Sequence, residues 1–385
     1  MRKRIAVFGS TGSIGVQALQ VISIQKEYFV VEVLTAFHNA DLLIRQALIF
    51  EPNVVVIGDE NLYEKVSRAL ESTNIKVYAG SNAIWQVARM DSIDLMLMAI
   101  VGFDGLKPLL TALDNKKPVA LANKESLVVA GELIAAKAKK NHTAVIPVDS
   151  EHSAIFQCLM GEFDNPVEKV VLTASGGPFL KKSLAEMKDV SPGKALLHPN
   201  WKMGNKTTID SASLMNKGLE AIEAKWLFGL KPGQIEILIH PQSVVHALVY
   251  FTDASVKAVL SATDMRIPVQ FALSYPERFG NSLERLDLTR YGSLEFTRPD
   301  MKKFRNLALA IEAMKKAGNL PCVLNAANEV AVSAFLKNKI GFMQIPEVVE
   351  KCMEKLPFIQ KPTLDDYFET DKLCRIKANE FINNI

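Results

Sequence analysis

The chain has 385 residues, 49% hydrophobic and 23% charged, enough for two or three cores of ordinary globular composition, and no apolar run approaches the roughly 18 residues that span a membrane. Its 45 basic and 42 acidic residues are well mixed and leave a net charge of +3, which argues against a nucleic-acid partner and leaves small anions open. Cys158, Cys322, Cys352 and Cys374 stand far apart with no C-x-x-C, which argues against a disulfide framework and a thiolate metal site and fits a reducing cytoplasm.

The basic start Met1-Arg2-Lys3-Arg4 runs straight into Ile5-Ala6-Val7-Phe8. A strand therefore begins where a secretory signal would need its apolar core, and neither a signal nor a transit peptide is expected. Residues 4–8, 30–36, 54–57, 76–78, 95–99, 119–121 and 144–148 read as strands, and residues 14–24, 42–50, 62–70, 103–113 and 126–140 as the helices between them. That alternation predicts a doubly wound, Rossmann-like α/β domain over residues 1–148. If residues 144–148 form a buried strand, Asp149 and Glu151 leave its carboxyl end together on alternate residues, where open α/β sheets place ligands.

Beyond residue 153 the rhythm changes. A strand at 169–173 meets Ser175-Gly176-Gly177-Pro178, and residues 191–205 form a polar stretch around Trp201 without periodicity, a pattern typical of lids and binding loops. A helix is expected from Ser211 to Phe228, with Asn216 and Glu220 on one side of it. Strands at 235–240, 244–251 and 256–260, the last two joined as a hairpin, predict an antiparallel α+β domain over 149–275 whose exposed sheet could pair subunits. Residues 276–303 read as a linker, and 304–385 as a C-terminal α-helical domain with helices at 306–317, 322–336 and 346–356.

Gly9-Ser10-Thr11-Gly12-Ser13-Ile14-Gly15 follows the first strand and opens the first helix, the context in which backbone N–H groups approach a pyrophosphate. An acid that would bind the ribose 2′-hydroxyl of NAD is missing after the second strand, where Phe37-His38-Asn39 stands instead. NADP is favoured, with His38 and Asn39 as candidate 2′-phosphate contacts. The chain holds no Tyr-x-x-x-Lys pair, and Cys158 lies in an apolar stretch that suits a core residue better than a nucleophile. Asp149, Glu151 and Glu220 offer three hard oxygens without His or Cys, a donor set for magnesium or manganese rather than zinc.

Further polar clusters occur at Asn123-Lys124-Glu125-Ser126, Ser175-Gly176-Gly177, His198-Pro199-Asn200-Trp201-Lys202-Met203-Gly204 and Asp210-Ser211 through Asn216-Lys217-Gly218-Leu219-Glu220. With the glycine loop and Val148-Asp149-Ser150-Glu151-His152, they closely resemble the 1-deoxy-D-xylulose 5-phosphate reductoisomerases, the NADPH- and metal-dependent enzymes of the methylerythritol phosphate route to isoprenoids. The resemblance spans the whole chain. It implies Asp149, Glu151 and Glu220 as ligands of Mn2+, Mg2+ or Co2+, and Ser175, Ser211, Asn216 and Lys217 with His198 at the substrate phosphate. It also implies Ser150 and Lys124 beside the substrate backbone and the metal, Trp201 and Met203 on a lid, and Lys124 and Glu151 among the catalytic groups. Thr11, Gly12, Ser13 and Ile14 match cofactor contacts, flanked by Gly9 and Gly15, and Asn123, Glu125 and Gly204 join that set. Many relatives carry Gly-Lys-Asn where this chain has Phe37-His38-Asn39. A sugar-phosphate substrate and a homodimer are implied, with no nucleic-acid or membrane partner. Another NADP-dependent, metal-requiring reductase, or a non-catalytic NADP sensor, stays open on the residues alone.

Overall fold

The computed structural model describes residues 2–201 and 203–384; Met1, Lys202 and Ile385 lie outside the described residues. The chain forms two compact units. The first comprises the residues up to Ser126, Ile134–Ser153 and Asp264–Glu284; the second comprises Leu127–Leu133, Ala154–Thr263 and the residues from Arg285 onward.

Within the first unit, among the described residues, seven strands form one sheet: β1 (Lys3–Phe8), β2 (Phe29–Ala36), β3 (Val54–Ile57), β4 (Lys76–Ala79), β5 (Leu95–Met98), β6 (Val119–Leu121) and β7 (Val145–Pro147). Their order is β4-β3-β2-β1-β5-β6-β7, and every pairing is parallel. Helices cover both faces of such a sheet, which is why β3 and β5 are buried along their whole length and read as unbroken apolar runs rather than alternations. The strand order reverses beside β1, the place where a doubly wound sheet opens a crevice for a ligand.

The first unit also takes in a segment that the sequence pattern did not place there. Helix Arg266–Ser274, not anticipated from sequence, adds Val269, Ala272 and Leu273 to the same buried cluster as β1 and β2. Lys3 Nζ donates to the Leu273 carbonyl at 2.8 Å, Gln25 Nε2 donates to the Gly280 carbonyl at 2.6 Å, and the rings of Tyr28 and Phe279 stack at 4.1 Å.

The second unit is built on a four-stranded sheet of order β11-β10-β8-β9, with β8 (Val167–Ala174), β9 (Ile235–Ile239), β10 (Val245–Phe251) and β11 (Val256–Leu260). The pairing of β8 with β9 is parallel and the other two are antiparallel, so the sheet is mixed where an antiparallel one was expected. Helices Arg305–Lys316, Leu320–Leu336, Gln344–Lys355 and Leu364–Asn383 supply much of its core, including Leu307, Leu324, Phe335 and Val349. The stretch read as a linker pairs with this sheet where Ile239 and Thr297 exchange backbone hydrogen bonds of 2.7 and 3.0 Å.

Three further expectations need correction. Asp149 and Glu151 do not sit on an extended segment, because helix Ser150–Leu159 begins at once after β7. The single helix expected from Ser211 to Phe228 is two, Asn205–Ala212 and Met215–Leu227, broken at Leu214 with φ +58°. The break accompanies a close backbone approach: a Cβ on Gly177 would lie 2.7 Å from the Ser211 carbonyl oxygen. Finally, residues 191–205 are not wholly irregular, since Pro192–Ala195 forms a helical turn with Pro at its first position.

Candidate active site

In the first unit, the loop after β1 is shaped by its glycines. Gly9 has φ +84°, and a Cβ there would lie 2.7 Å from the Ala99 carbonyl oxygen, so no other residue fits without moving backbone. The loop is held from behind by Ser10, whose hydroxyl donates to Gln46 Oε1 at 2.7 Å while Gln46 Nε2 donates back to the Ser10 carbonyl at 2.9 Å. Gly12 caps helix Ser13–Ile24 without any side-chain hydrogen bond. The N–H groups of the first turn therefore remain available to phosphate oxygens, and the positive end of the helix favours them. Thr11, Gly12, Ser13 and Ile14 are at least partly exposed around this turn.

At the end of β2, Asn39 Oδ1 accepts from the Leu42 N–H at 3.2 Å and so caps helix Ala40–Phe50. His38 is exposed, with Nδ1 3.5 Å from Asp59 Oδ2. Sequence reasoning did not find Asp59, because it follows β3 and nothing local marks it as a neighbour of His38. Asn123 is buried and its side chain is committed to structure: Oδ1 accepts from the Ser126 N–H at 3.0 Å, while Nδ2 donates to the carbonyls of Ile100 and Gly102 and to Glu125 Oε2.

The turn after β7 carries the acids. Ser150 N–H donates to Asp149 Oδ1 at 3.0 Å, and the Ser150 hydroxyl donates to Glu151 Oε2 at 2.6 Å. Carboxylate oxygens of Asp149 and Glu151 come within 4.8 Å of each other. Two such anions repel unless a cation stands by, and Lys124 Nζ supplies one at 2.5 Å from Asp149.

In the second unit, His198 gathers three elements. Its Nε2 lies 3.0 Å from the Ser175 hydroxyl, just beyond β8, and 3.1 Å from the Ser211 hydroxyl on helix Asn205–Ala212. Its Nδ1 accepts from the backbone N–H groups of Asn200 and Trp201 at 3.1 and 2.9 Å. With Nδ1 an acceptor, the proton of the neutral ring sits on Nε2, facing the serines. Burial pushes the His198 imidazole down to about 4, so a neutral ring is the resting form near pH 7.

Asn200 anchors the loop by donating from Nδ2 to the Pro241 carbonyl at 2.7 Å and to the Ser243 hydroxyl at 3.0 Å. Trp201 is half-buried, its indole 6.2 Å from the His246 ring, and Met203 is half-buried beyond it. Gly204 caps the next helix. Asn200 and His246 are additions to the sequence reading; Asn200 lay within the quoted motif, while His246 stands on β10 with no local signal. On helix Met215–Leu227, Glu220 is 1% exposed, accepts from Asn216 Nδ2 at 2.5 Å and forms an ion pair with Lys217. Cys158 is buried and its thiol is pushed up to about 11 by burial, so it is no nucleophile at neutral pH.

Profiles for 1-deoxy-D-xylulose 5-phosphate reductoisomerase match residues 5–131, its C-terminal domain residues 145–228, and the DXP reductoisomerase C-terminal domain residues 260–377. The protein of that name from Bacteroides thetaiotaomicron is 55% identical over 381 residues, covering 99% of this chain and 98% of its own. That from Phocaeicola vulgatus is 55% identical over 384 residues and covers both chains completely. The chain belongs to the 1-deoxy-D-xylulose 5-phosphate reductoisomerase family. Among solved structures, the Zymomonas mobilis reductoisomerase in complex with NADPH superposes with a TM-score of 0.93 at 41% identity over the whole of both chains. A reductoisomerase in complex with NADPH, fosmidomycin and magnesium gives 0.94 at 38% identity, covering 99% of this chain and 98% of the other. The expected Rossmann-like domain, second sheet-bearing domain and helical C-terminal region are the architecture of this family. As a member, the protein is an NADP-dependent oxidoreductase acting on 1-deoxy-D-xylulose 5-phosphate.

Proposed function

We propose a division of labour among these residues in the conversion of 1-deoxy-D-xylulose 5-phosphate to 2-C-methyl-D-erythritol 4-phosphate, for which NADPH and a divalent cation are the cofactors. Residues 1–148 bind the cofactor, 149–275 carry the chemistry and the subunit contact, 276–303 link, and 304–385 support the site as a helical domain. The carrying observation is the crowded pair of hard oxygens at Asp149 and Glu151 beside Lys124. Glu220 completes the set with a third carboxylate, and such a set suits Mn2+, Mg2+ or Co2+. The bound cation supplies Lewis acidity toward neighbouring ketone and hydroxyl oxygens of the substrate.

Lys124 pairs with Asp149 and the Ser150 hydroxyl donates to Glu151, which orients the two carboxylates. Ser175, Ser211 and the Nε2–H of His198 present donors converging within about a hydrogen-bond length of one another, and with Asn216 and Lys217 they grip the substrate phosphate. Gripping a group remote from the reacting carbons orients the substrate and helps drive closure. The glycine loop from Gly9 to Gly15 holds the dinucleotide, with His38 and Asn39 at its ribose end and Asn123, Glu125 and Gly204 toward the nicotinamide. Following NADPH absorbance with the ketose phosphate tests this. Chelation should abolish turnover and manganese should restore it; turnover indifferent to the metal would remove the carboxylates from their role.

Trp201 and Met203 cover the site and exclude water. The indole is half-buried and its loop hangs on His198 and Asn200, so Trp201→Ala should leave the unfolding midpoint nearly unchanged while raising KM and lowering kcat. A stability loss of about 3–5 kcal/mol with intact kinetics, the cost typical of a core Trp, would show that Trp201 is packing instead.

Strand β11 pairs with β10 on one side, and among the described residues its other edge carries no partner strand. Its side chains are largely exposed, Val256 and Leu260 among them. Open edges are templates for pairing, and we assign the homodimer contact to this sheet. Among the described residues no helix is long and apolar enough to cross a membrane, and four free, buried cysteines fit a cytoplasmic location.

A further inference from the structure

Past the carboxyl ends of β2, β3 and β4 lies a cavity of about 400 Å3, with Phe37 and His38 following β2, Asp59 and Glu60 following β3, and Asn82 following β4. Strand β2 neighbours β1, which carries the glycine loop, and in a doubly wound fold the adenosine ribose of a dinucleotide reaches the end of the second strand. The cofactor site proposed above would put the ribose 2′ substituent at this cavity.

Its lining is unusual for a phosphate site. Among the described residues no Lys or Arg lines it, and two carboxylates do. On the adjoining helices, Lys65 is paired with Asp41 at 2.7 Å, and Arg45 acts on the same Asp41. Glu60 lies over Gly80, where a Cβ would come 2.5 Å from its Oε1. The group that can become a cation is His38, and it is well positioned. Phe37 packs against Gly58, where a Cβ would come 2.4 Å from the ring, and the Phe37 and His38 rings meet in a T-shaped contact at 4.6 Å and 73°. On its other side stands Asp59 Oδ2, 3.5 Å from Nδ1. Asp59 is fixed in turn, because its Oδ1 accepts from the Asn61 N–H and side-chain amide at 3.0 Å each. Those bonds, the backbone one first, hold its carboxyl below the usual range, so it stays an anion throughout the neutral region.

We propose that His38 and Asp59 act as a proton-dependent selector of the cofactor: protonated His38 admits the 2′-phosphate of NADPH, whereas with neutral His38 the Asp59 carboxylate accepts from the 2′-hydroxyl of NADH. The inference rests on the cofactor site assigned above. A 2′-phosphate carries about 1.5 to 2 negative charges. Beside Asp59 and Glu60 it is repelled unless His38 is charged, and histidine is the side chain type whose charge can change across the neutral range. The preference for NADPH then falls as pH rises, and the enzyme gains use of NADH on the alkaline side.

Calorimetric titration with 2′-phospho-ADP-ribose and with ADP-ribose tests this without turnover. The ratio of their affinities should fall about tenfold between about pH 6.5 and about pH 8.5, the change expected of one lost charge contact worth about one pKa unit. The phosphate's own second ionisation, near 6, is largely complete over that range. In His38→Lys the ratio should be high and flat with pH; in His38→Gln it should be low and flat. Asp59→Asn keeps the cap and should tighten the phosphorylated ligand at the expense of the other. A flat ratio in the natural protein, or His38→Gln with the natural ratio and slope, overturns the selector while leaving the cofactor site intact. Binding of neither ligand overturns the cofactor site and the selector together.

Discussion

Glu220→Gln is expected to lower kcat/KM by at least about 100-fold and to weaken manganese binding by a comparable factor, a larger loss than the 10- to 100-fold typical of a residue that merely supports a ligand. The substitution keeps an oxygen but removes the charge that a hard cation needs. A second effect comes from the chain itself. Glu220 is 1% exposed and Lys217 is 4% exposed, so neutralising the acid takes one counter-charge away from a buried ammonium. Breaking such a buried pair from one side costs about 3–5 kcal/mol. Unlike a purely local ligand loss, the change should therefore lower the denaturation midpoint as well, and high manganese should recover activity in part. Asp149→Asn provides the comparison, since Asp149 and Lys124 are less deeply buried and the stability cost there should be smaller. Calorimetry showing natural manganese affinity in both variants would eliminate the shared metal site.

Gly15→Ala should nearly abolish NADPH binding. A Cβ at this position would lie 2.3 Å from the Gly9 carbonyl oxygen and 2.6 Å from the Ser10 Cα, both backbone atoms that no rotamer change can move aside. The helix must then withdraw from the loop. The N–H groups of its first turn lose their aim at the pyrophosphate, and a displacement near 1 Å at a binding group can cost about 100-fold. Overpacking of this kind also costs about 1–3 kcal/mol of stability. Gly12→Ala is the control: its nearest neighbour would be the Gly9 carbonyl oxygen at 3.3 Å, and its φ of −76° suits any residue. Fluorescence titration with NADPH should separate the two variants, and equal affinities would show that the loop does not hold the dinucleotide through that helix end.

How much of this was legible from sequence depended on the range of the interaction concerned. The strands of the first sheet could be read because each is buried along a continuous apolar run, and the glycine loop because its backbone demands are local. The ordered polar clusters were enough to expose the family resemblance, but the local geometry of Asp149 and Glu151 was not legible. Asp149 and Glu151 were placed on an extended segment, but helix Ser150–Leu159 starts there, and the period-2 argument does not apply to them.

Sequence by itself determined which residues must be buried and which backbone positions need glycine, since apolar periodicity and steric limits are properties of a few consecutive residues. Tertiary structure alone decided against what those faces pack. Helix Arg266–Ser274 joins the core of a strand more than 200 residues earlier, and its own pattern says that a face is apolar without saying which core receives it. Leu214 takes a left-handed conformation that no local signal requests, where Gly177 brings distant backbone against Ser211. The same holds for Asp59. Its neighbour after β2 is set by the parallel pairing of β2 with β3, a contact whose free energy comes from the whole sheet and leaves no mark on the residues around either side chain.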